Sequence, residues 1–255
     1  MKRNESPASD TGIRERYAAL RALVDRACDR TGRESSSVQI MAVSKQQPLE
    51  KVREALQAGI RIFGENRVQE LVQKWPDAGQ GEVDCLDSGV HRNAVHVSLI
   101  GHLQRNKASR VAGYIDRIES LDSKRTVDAL VPRYSGSRPL DALIQINTSG
   151  EQSKYGLPDE EKAVFGFMDH ILQYDSIRPR GVMTIAPFVN DEQAIRQCFR
   201  TLYSWHERIA SRYGLSDWDT VSMGMSGDFA IAIEEGSTEI RIGTQLFGPR
   251  TSGPG

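Results

Sequence analysis

The chain has 255 residues, 38% of them hydrophobic, which is enough for one large domain with a substantial core. Its 33 basic residues are balanced by 34 acidic ones, so there is no excess positive field to recruit nucleic acid or an anionic membrane. No apolar run approaches the roughly 20 residues of a membrane span, and the opening MKRNESPASDTG lacks the apolar segment of a secretion signal, so a cytoplasmic location is expected.

Residues 1–10 are polar and predict a disordered tail ahead of a single domain over residues 11–255. Ile13, Tyr17, Leu20, Val24 and Ala27 then recur at helical spacing up to Thr31-Gly32, giving a helix before any strand. Val38 to Val43 is a continuous apolar run, as in a strand of a parallel sheet buried on both faces. Pro48 opens the next helix and Gly59 ends it. The alternation continues with strands at Ile60–Phe63, Val97–Ile100, Tyr114–Ile118, Ala142–Ile146 and Gly181–Ile185, then Val221–Met225 and Glu239–Ile242. Helices fall between them, the clearest over residues 191–213. Eight strand-helix units within about 250 residues predict an α/β fold, a single (β/α)8 TIM-type barrel with an extra N-terminal helix. A doubly wound open sheet is the alternative. Neither G-x-G-x-x-G nor G-x-x-x-x-G-K-[ST] occurs, which argues against a dinucleotide or P-loop site.

In such a barrel the chemistry collects just past the C-terminal ends of the strands. Lys45 stands there after five uncharged residues, at a position expected to be almost fully buried, where an ammonium tends to lose its proton. Alternatively it snorkels to the rim or pairs with an acidic neighbour such as Glu65. The strand ending at Met225 passes through Ser226-Gly227 into a helix, and the last strand closes on Gly243-Thr244. Two such turns side by side offer backbone N–H groups and room for a phosphate, although two ordinary tight turns would look the same. A neutral amine beside a phosphate pocket suits an aldehyde bearing a phosphate, which is pyridoxal 5′-phosphate. Arg241, two residues before Gly243, would point to the same side; pairing with Glu239 or Glu234 is the plainer role. Cys85, His91, His96 and His102 form the one dense Cys/His group, at spacings that match no zinc motif. Cys28, Cys85 and Cys198 include no C-x-x-C pair and read as packing thiols.

AVSK at 42–45, FGENRVQE at 63–70, IGHLQRNK at 100–107, ESLDS at 119–123, INTSGEQSKYG at 146–156, GVMTI at 181–185, SMGMSGD at 222–228 and GSTEIRIGTQLFG at 236–248 resemble the pyridoxal phosphate homeostasis proteins. That family shares its barrel with the N-terminal domain of alanine racemase. The resemblance implies pyridoxal phosphate held as an internal aldimine on Lys45, with its phosphate on Ser226, Gly243 and Thr244. It also implies that Arg241 faces the pyridine nitrogen and that Asn66 and Met183 line the pocket. The family's Trp-His-Phe before Ile-Gly is here Val97-Ser98-Leu99, and the loop at 79–93 is longer than usual, which bears on the rim near the third strand. A monomeric cofactor carrier that meets apo-enzymes transiently is expected. The alternative is an amino-acid racemase, for which Tyr155 or His102 would have to serve as the opposing base, because the chain ends about where the barrel closes.

Overall fold

The computed structural model describes residues 12–134, 138–151 and 153–248; the tail expected over 1–10 lies outside them. In chain order the elements are α1 (Ile13–Asp29), β1 (Gln39–Val43), α2 (Leu49–Gln57), β2 (Ile62–Glu65), α3 (Val68–Lys74), β3 (His96–Leu99), α4 (Ala108–Val111), β4 (Arg117–Leu121) and α5 (Lys124–Tyr134). Then follow β5 (Leu140–Asn147), a two-residue β6 (Leu157–Pro158), α6 (Glu161–Ile171), β7 (Ile177–Met183), α7 (Glu192–Tyr213), β8 (Thr220–Ser222), α8 (Phe229–Glu234), β9 (Glu239–Ile242) and α9 (Thr244–Phe247).

All the strand pairings are parallel. β1, β2, β3, β4, β5, β7, β8 and β9 follow one another around a ring that β9 closes onto β1, while β6 only flanks the end of β5. Closure rules out the open sheet and yields the eight-stranded barrel that the alternation predicted. Strand residues are buried almost throughout, because helices cover the outside and side chains fill the inside. α1 precedes the ring and buries Leu20, Val24, Ala27 and Cys28 in the core it shares with α2, α8 and α9.

Most strand ends lie within a residue or two of the expected ones, and three strands, β4, β7 and β8, depart further. β4 starts at Arg117 because Gly113, with φ of 87°, turns the chain after α4, and Asp116 accepts from the backbone N–H of Val97. β7 starts four residues early, and at Gly181 it runs so close to β8 that a Cβ there would stand 1.8 Å from the Thr220 carbonyl oxygen. β8 stops at Ser222 because Gly224, with φ of 95°, breaks it; a Cβ at Gly224 would stand 3.0 Å from the Phe229 Cα. The long helix α7 begins on Asp191, whose carboxylate accepts from Gln193 and Ala194 N–H groups, and ends on left-handed Gly214. The loop at 79–93 is anchored by buried Arg92, which donates to the Pro76, Val95 and Tyr114 carbonyls and pairs with Asp116.

Candidate functional site

Lys45 sits in the tight turn that follows β1, where Gln47 N–H donates to the Ser44 carbonyl at 3.1 Å. The turn carries Lys45 to the edge of a cavity of about 170 Å³ that it lines with Gln46, Asn66, Arg67 and Glu70. Lys45 is therefore half-buried, not almost fully buried as expected, and desolvation acts on it less than the uncharged strand suggested. Glu65 is not its counter-ion. That carboxylate accepts from Ser44 Oγ at 2.7 Å and from the ammonium of buried Lys74 at 2.9 Å. Asn66 is exposed on the cavity wall, and Gly101 lies so near that a Cβ there would strike its carbonyl oxygen at 2.1 Å. The turns after β2 and β3 are thus packed backbone on backbone.

On the other side of β1 lie β9 and β8. Arg241 N–H donates to the Gly224 carbonyl, which sets the turn at Ser226 beside the turn at Gly243. Among the described residues, the backbone N–H groups of Ser226, Gly227, Gly243 and Thr244 find no protein acceptor. Two neighbouring turns of unpaired N–H groups form the kind of concavity that binds an anion. Neither Gly227 nor Gly243 is demanded by packing: a Cβ on Gly227 would meet nothing within 4 Å, and one on Gly243 would make ordinary contacts of 3.6 and 3.8 Å with Val43. Glycines that the protein's own packing does not require leave space for something else.

Arg241 pairs with neither Glu239 nor Glu234. It lies opposite Met41 of β1, 4% exposed, and its guanidinium donates to the Ser222 carbonyl at 2.8 Å, Ser222 Oγ at 2.7 Å and the Thr184 carbonyl at 2.7 Å. Glu234 instead pairs with Arg30 and Arg196 on the outside of the barrel. Beneath Arg241 a buried chain of charges runs down the axis. Ser222 Oγ donates to Glu119 at 2.9 Å, Arg117 reaches Glu119 at 2.6 Å, and Arg117 also bonds Glu239. Burial acts to raise the Glu119 carboxyl, but Arg117 and Arg241 outweigh it and hold that carboxyl below its ordinary value. Burial pushes Glu239 up, offset only in part by Arg117. Met183, 1% exposed, forms the wall between β5 and β8.

The structure thus places Lys45 and Asn66 on one side of the mouth and Ser226, Gly243 and Thr244 on the other, with Arg241 and Met183 below. Sequence reasoning passed over Lys74, Arg117 and Glu119. The last two had a signal: charges at alternate positions around Ile118 share the inner face of a strand. At the rim near β3, Val97, Ser98 and Leu99 are buried, while His102 stacks on exposed Tyr155 with centroids 4.2 Å apart. The three cysteines are free and buried, and no group of three His, Cys, Asp or Glu suited to a metal occurs among the described residues. Nor is any described helix long and apolar enough to cross a membrane. A cavity of about 510 Å³ opens at the opposite end of the barrel. Its charged side chains are already engaged, as in Arg180 with Asp219 at 2.8 Å.

The family model described as alanine racemase, N-terminal domain, matches residues 16–251. A pyridoxal phosphate homeostasis protein of Vibrio cholerae is 38% identical over 239 residues, covering 93% of this chain and 96% of the relative. The Homo sapiens protein of that name is 34% identical over 260 residues, covering 98% and 91%. Among solved structures, PipY of Synechococcus elongatus with pyridoxal phosphate bound superposes with a TM-score of 0.75 at 30% identity, over 92% of this chain and all of that one. An alanine racemase from Bacillus anthracis superposes at 0.65 with 18% identity over 92% of this chain and 57% of that one, a likeness of fold alone.

Proposed function

The chain belongs to the pyridoxal phosphate homeostasis proteins, within the family of the alanine racemase N-terminal domain, and from that premise we propose that it binds pyridoxal 5′-phosphate without substrate turnover and supplies it to apo-enzymes. One observation carries the reading. A lysine amine, two turns of acceptor-free N–H groups and a buried arginine meet at one end of the barrel, on adjacent strands. When bound, pyridoxal phosphate supplies an aldehyde that condenses with a primary amine and releases water.

Lys45 provides that amine. Ser226, Gly243 and Thr244 provide backbone N–H groups for the phosphate, and the side-chain-free glycines leave it room. Arg241, fixed by Ser222 and Thr184, would lie at the ring nitrogen; a guanidinium offers donors and no acceptor, so it would favour that nitrogen unprotonated and the ring a weak electron sink. Asn66 and Met183 border the ring. Asn66 and Thr244 are exposed at the rim, which suits a protein that must give its ligand up. On this reading the protein works in the cytoplasm as a monomer that meets apo-enzymes transiently.

The test is an absorbance spectrum with borohydride fixation and peptide mapping, followed by mixing with a pyridoxal-phosphate-dependent apo-enzyme. A visible band, label on Lys45 and recovered recipient activity are expected. Loss of all three is expected in Lys45→Ala, and label on Lys107 or Lys154 of the native protein would refute the assignment.

A further inference from the structure

Lys74 ends α3, and its side chain is only 4% exposed. Lysine is seldom buried, and a buried ammonium has three N–H groups to place. Here they go to the Ser44 carbonyl at 2.8 Å, Glu65 Oε1 at 2.9 Å and Glu70 Oε1 at 2.8 Å. Each acceptor is tied to the turn that carries Lys45. Ser44 precedes Lys45, and its hydroxyl shares the same Glu65 oxygen. Gln46 follows Lys45, and its backbone N–H donates to the same Glu70 oxygen. Gln46 has φ of 57°, a left-handed conformation that costs a side-chain-bearing residue about 1 kcal/mol or more and lasts only where the surroundings hold it. The backbone on both sides of Lys45 is thereby anchored to one buried charge.

Packing by itself does not call for a charge at this place, since an apolar side chain of similar volume fills space without the cost of desolvation. What an apolar residue cannot do is occupy two carboxylates. Burial pushes the Glu65 carboxyl up, while Lys74 and the Ser44 hydroxyl pull it back. Without Lys74, Glu65 would keep only the Ser44 hydroxyl and Glu70 only the Gln46 N–H, and neither would retain the cation that now pairs with it.

We propose that Lys74 is a positioning residue for Lys45: its ammonium fixes the Ser44 to Gln46 backbone and engages Glu65 and Glu70, so that neither carboxylate captures the Lys45 amine in an ion pair. This rests on the reading of Lys45 as the cofactor's amine. A lysine drawn to a carboxylate stays protonated, and a protonated amine is no nucleophile. Among the described residues, the charged groups on the elements packed about this turn include Glu65 from β2, Arg67 after it, Glu70 and Lys74 from α3, and Arg241 from β9, whose guanidinium is turned to Ser222 and Thr184.

The experiment uses protein stripped of cofactor. Acylation of Lys45 by acetic anhydride is followed by peptide mass spectrometry as a function of pH, in the native protein and in Lys74→Met, Lys74→Arg and Glu70→Gln, each checked by circular dichroism. Lys74→Met should raise the Lys45 midpoint by about one pH unit or more, and Lys74→Arg should restore it. Glu70→Gln removes a carboxylate while Lys74 remains, so it should lower the midpoint. An unchanged or lowered midpoint in folded Lys74→Met overturns the proposal. If that variant does not fold, Glu70→Gln decides: a fall supports the proposal, and no change or a rise overturns it. Because no cofactor is present, this result stands apart from borohydride mapping, which tests the proposed function itself.

Discussion

The anion cradle makes its sharpest prediction at Gly243. The residue has φ of −108°, outside the left-handed region, and an added Cβ would lie 3.6 Å from the Val43 carbonyl oxygen and 3.8 Å from the Val43 Cβ, both ordinary contacts. Gly243→Val should therefore fold, with a melting temperature within a few degrees of the native one. Binding should behave differently, because the isopropyl group stands where the phosphate must approach the N–H groups of Gly243 and Thr244. Each hydrogen bond to a charged group is worth about 1.5–3 kcal/mol, so losing two weakens binding by about 3–6 kcal/mol, or roughly 10²- to 10⁴-fold. Thr244→Ala removes one hydroxyl and keeps the backbone, so its loss should be about 1 kcal/mol, or five- to tenfold. The assay is titration with pyridoxal phosphate followed by visible absorbance, with thermal melts alongside. Equal losses, or a larger loss in Thr244→Ala, would show that side chains hold the phosphate. A Gly243→Val protein that unfolds would show instead that the glycine serves packing.

Glu119→Gln keeps the shape but leaves Arg117 and Arg241 short of a counter-charge; breaking a buried ion pair costs about 3–5 kcal/mol, which in a domain of this size lowers the melting temperature by about 6–20 °C. A drop under about 2 °C would mean that the axial charges are not coupled. His96 should make the fold acid-sensitive: burial, reinforced by Arg117, lowers its value from 6.5 to about 4, so the unfolded chain binds the proton first. Its contribution is whole above about pH 6.5 and fades as pH falls toward about 4, by about 3 kcal/mol in all. His96→Gln should flatten denaturant-derived stability across that window, and an identical slope in the two proteins would exclude His96 as the cause. Solvent deuterium exchange at the α-carbon of a panel of amino acids should be slight, since an opposing base normally contributes about 10² to 10⁴-fold in rate. Rapid exchange with inversion, lost in Lys45→Ala, would promote a racemase.

The barrel was legible because its signals are local and repeated: buried apolar runs, a stop after each helix, and glycine or proline where the chain turns. Strand ends were less so. Val221 to Met225 looks like one strand, yet Gly224 must take a φ of 95° to let Phe229 approach, and nothing in the run itself announces that contact. Lys45 and Arg241 could be placed on neighbouring strands from the order of elements. Their partners could not, because each is set across the barrel: Glu65 goes to Lys74 from α3, and Arg241 to carbonyls of β8 and of the residue just past β7. Glu70 and Lys74 at i, i+4 look like an ordinary surface pair on a helix, and only the packing of that helix end against the turn after β1 makes the lysine a buried one.

The axial charges also bear on why one barrel can hold a cofactor without reacting through it. The groups that retain pyridoxal phosphate in the proposed site are an amine and backbone N–H groups, supplied by β1, β8, β9 and their turns. The groups that would make it reactive are of another kind: an acceptor at the ring nitrogen and a base opposite the amine. On the proposed reading the first position falls to Arg241, whose guanidinium donates to Ser222 and Thr184 and whose burial Glu119 offsets only in part. A guanidinium has no acceptor for a ring N–H, so at that position it would favour the unprotonated ring. Near the second, His102 and Tyr155 lie nearly parallel, at 14° between ring planes, stacked on each other. On the proposed reading binding and reactivity thus depend, Lys45 apart, on separate residues, and substitutions in one set are expected to leave the other intact.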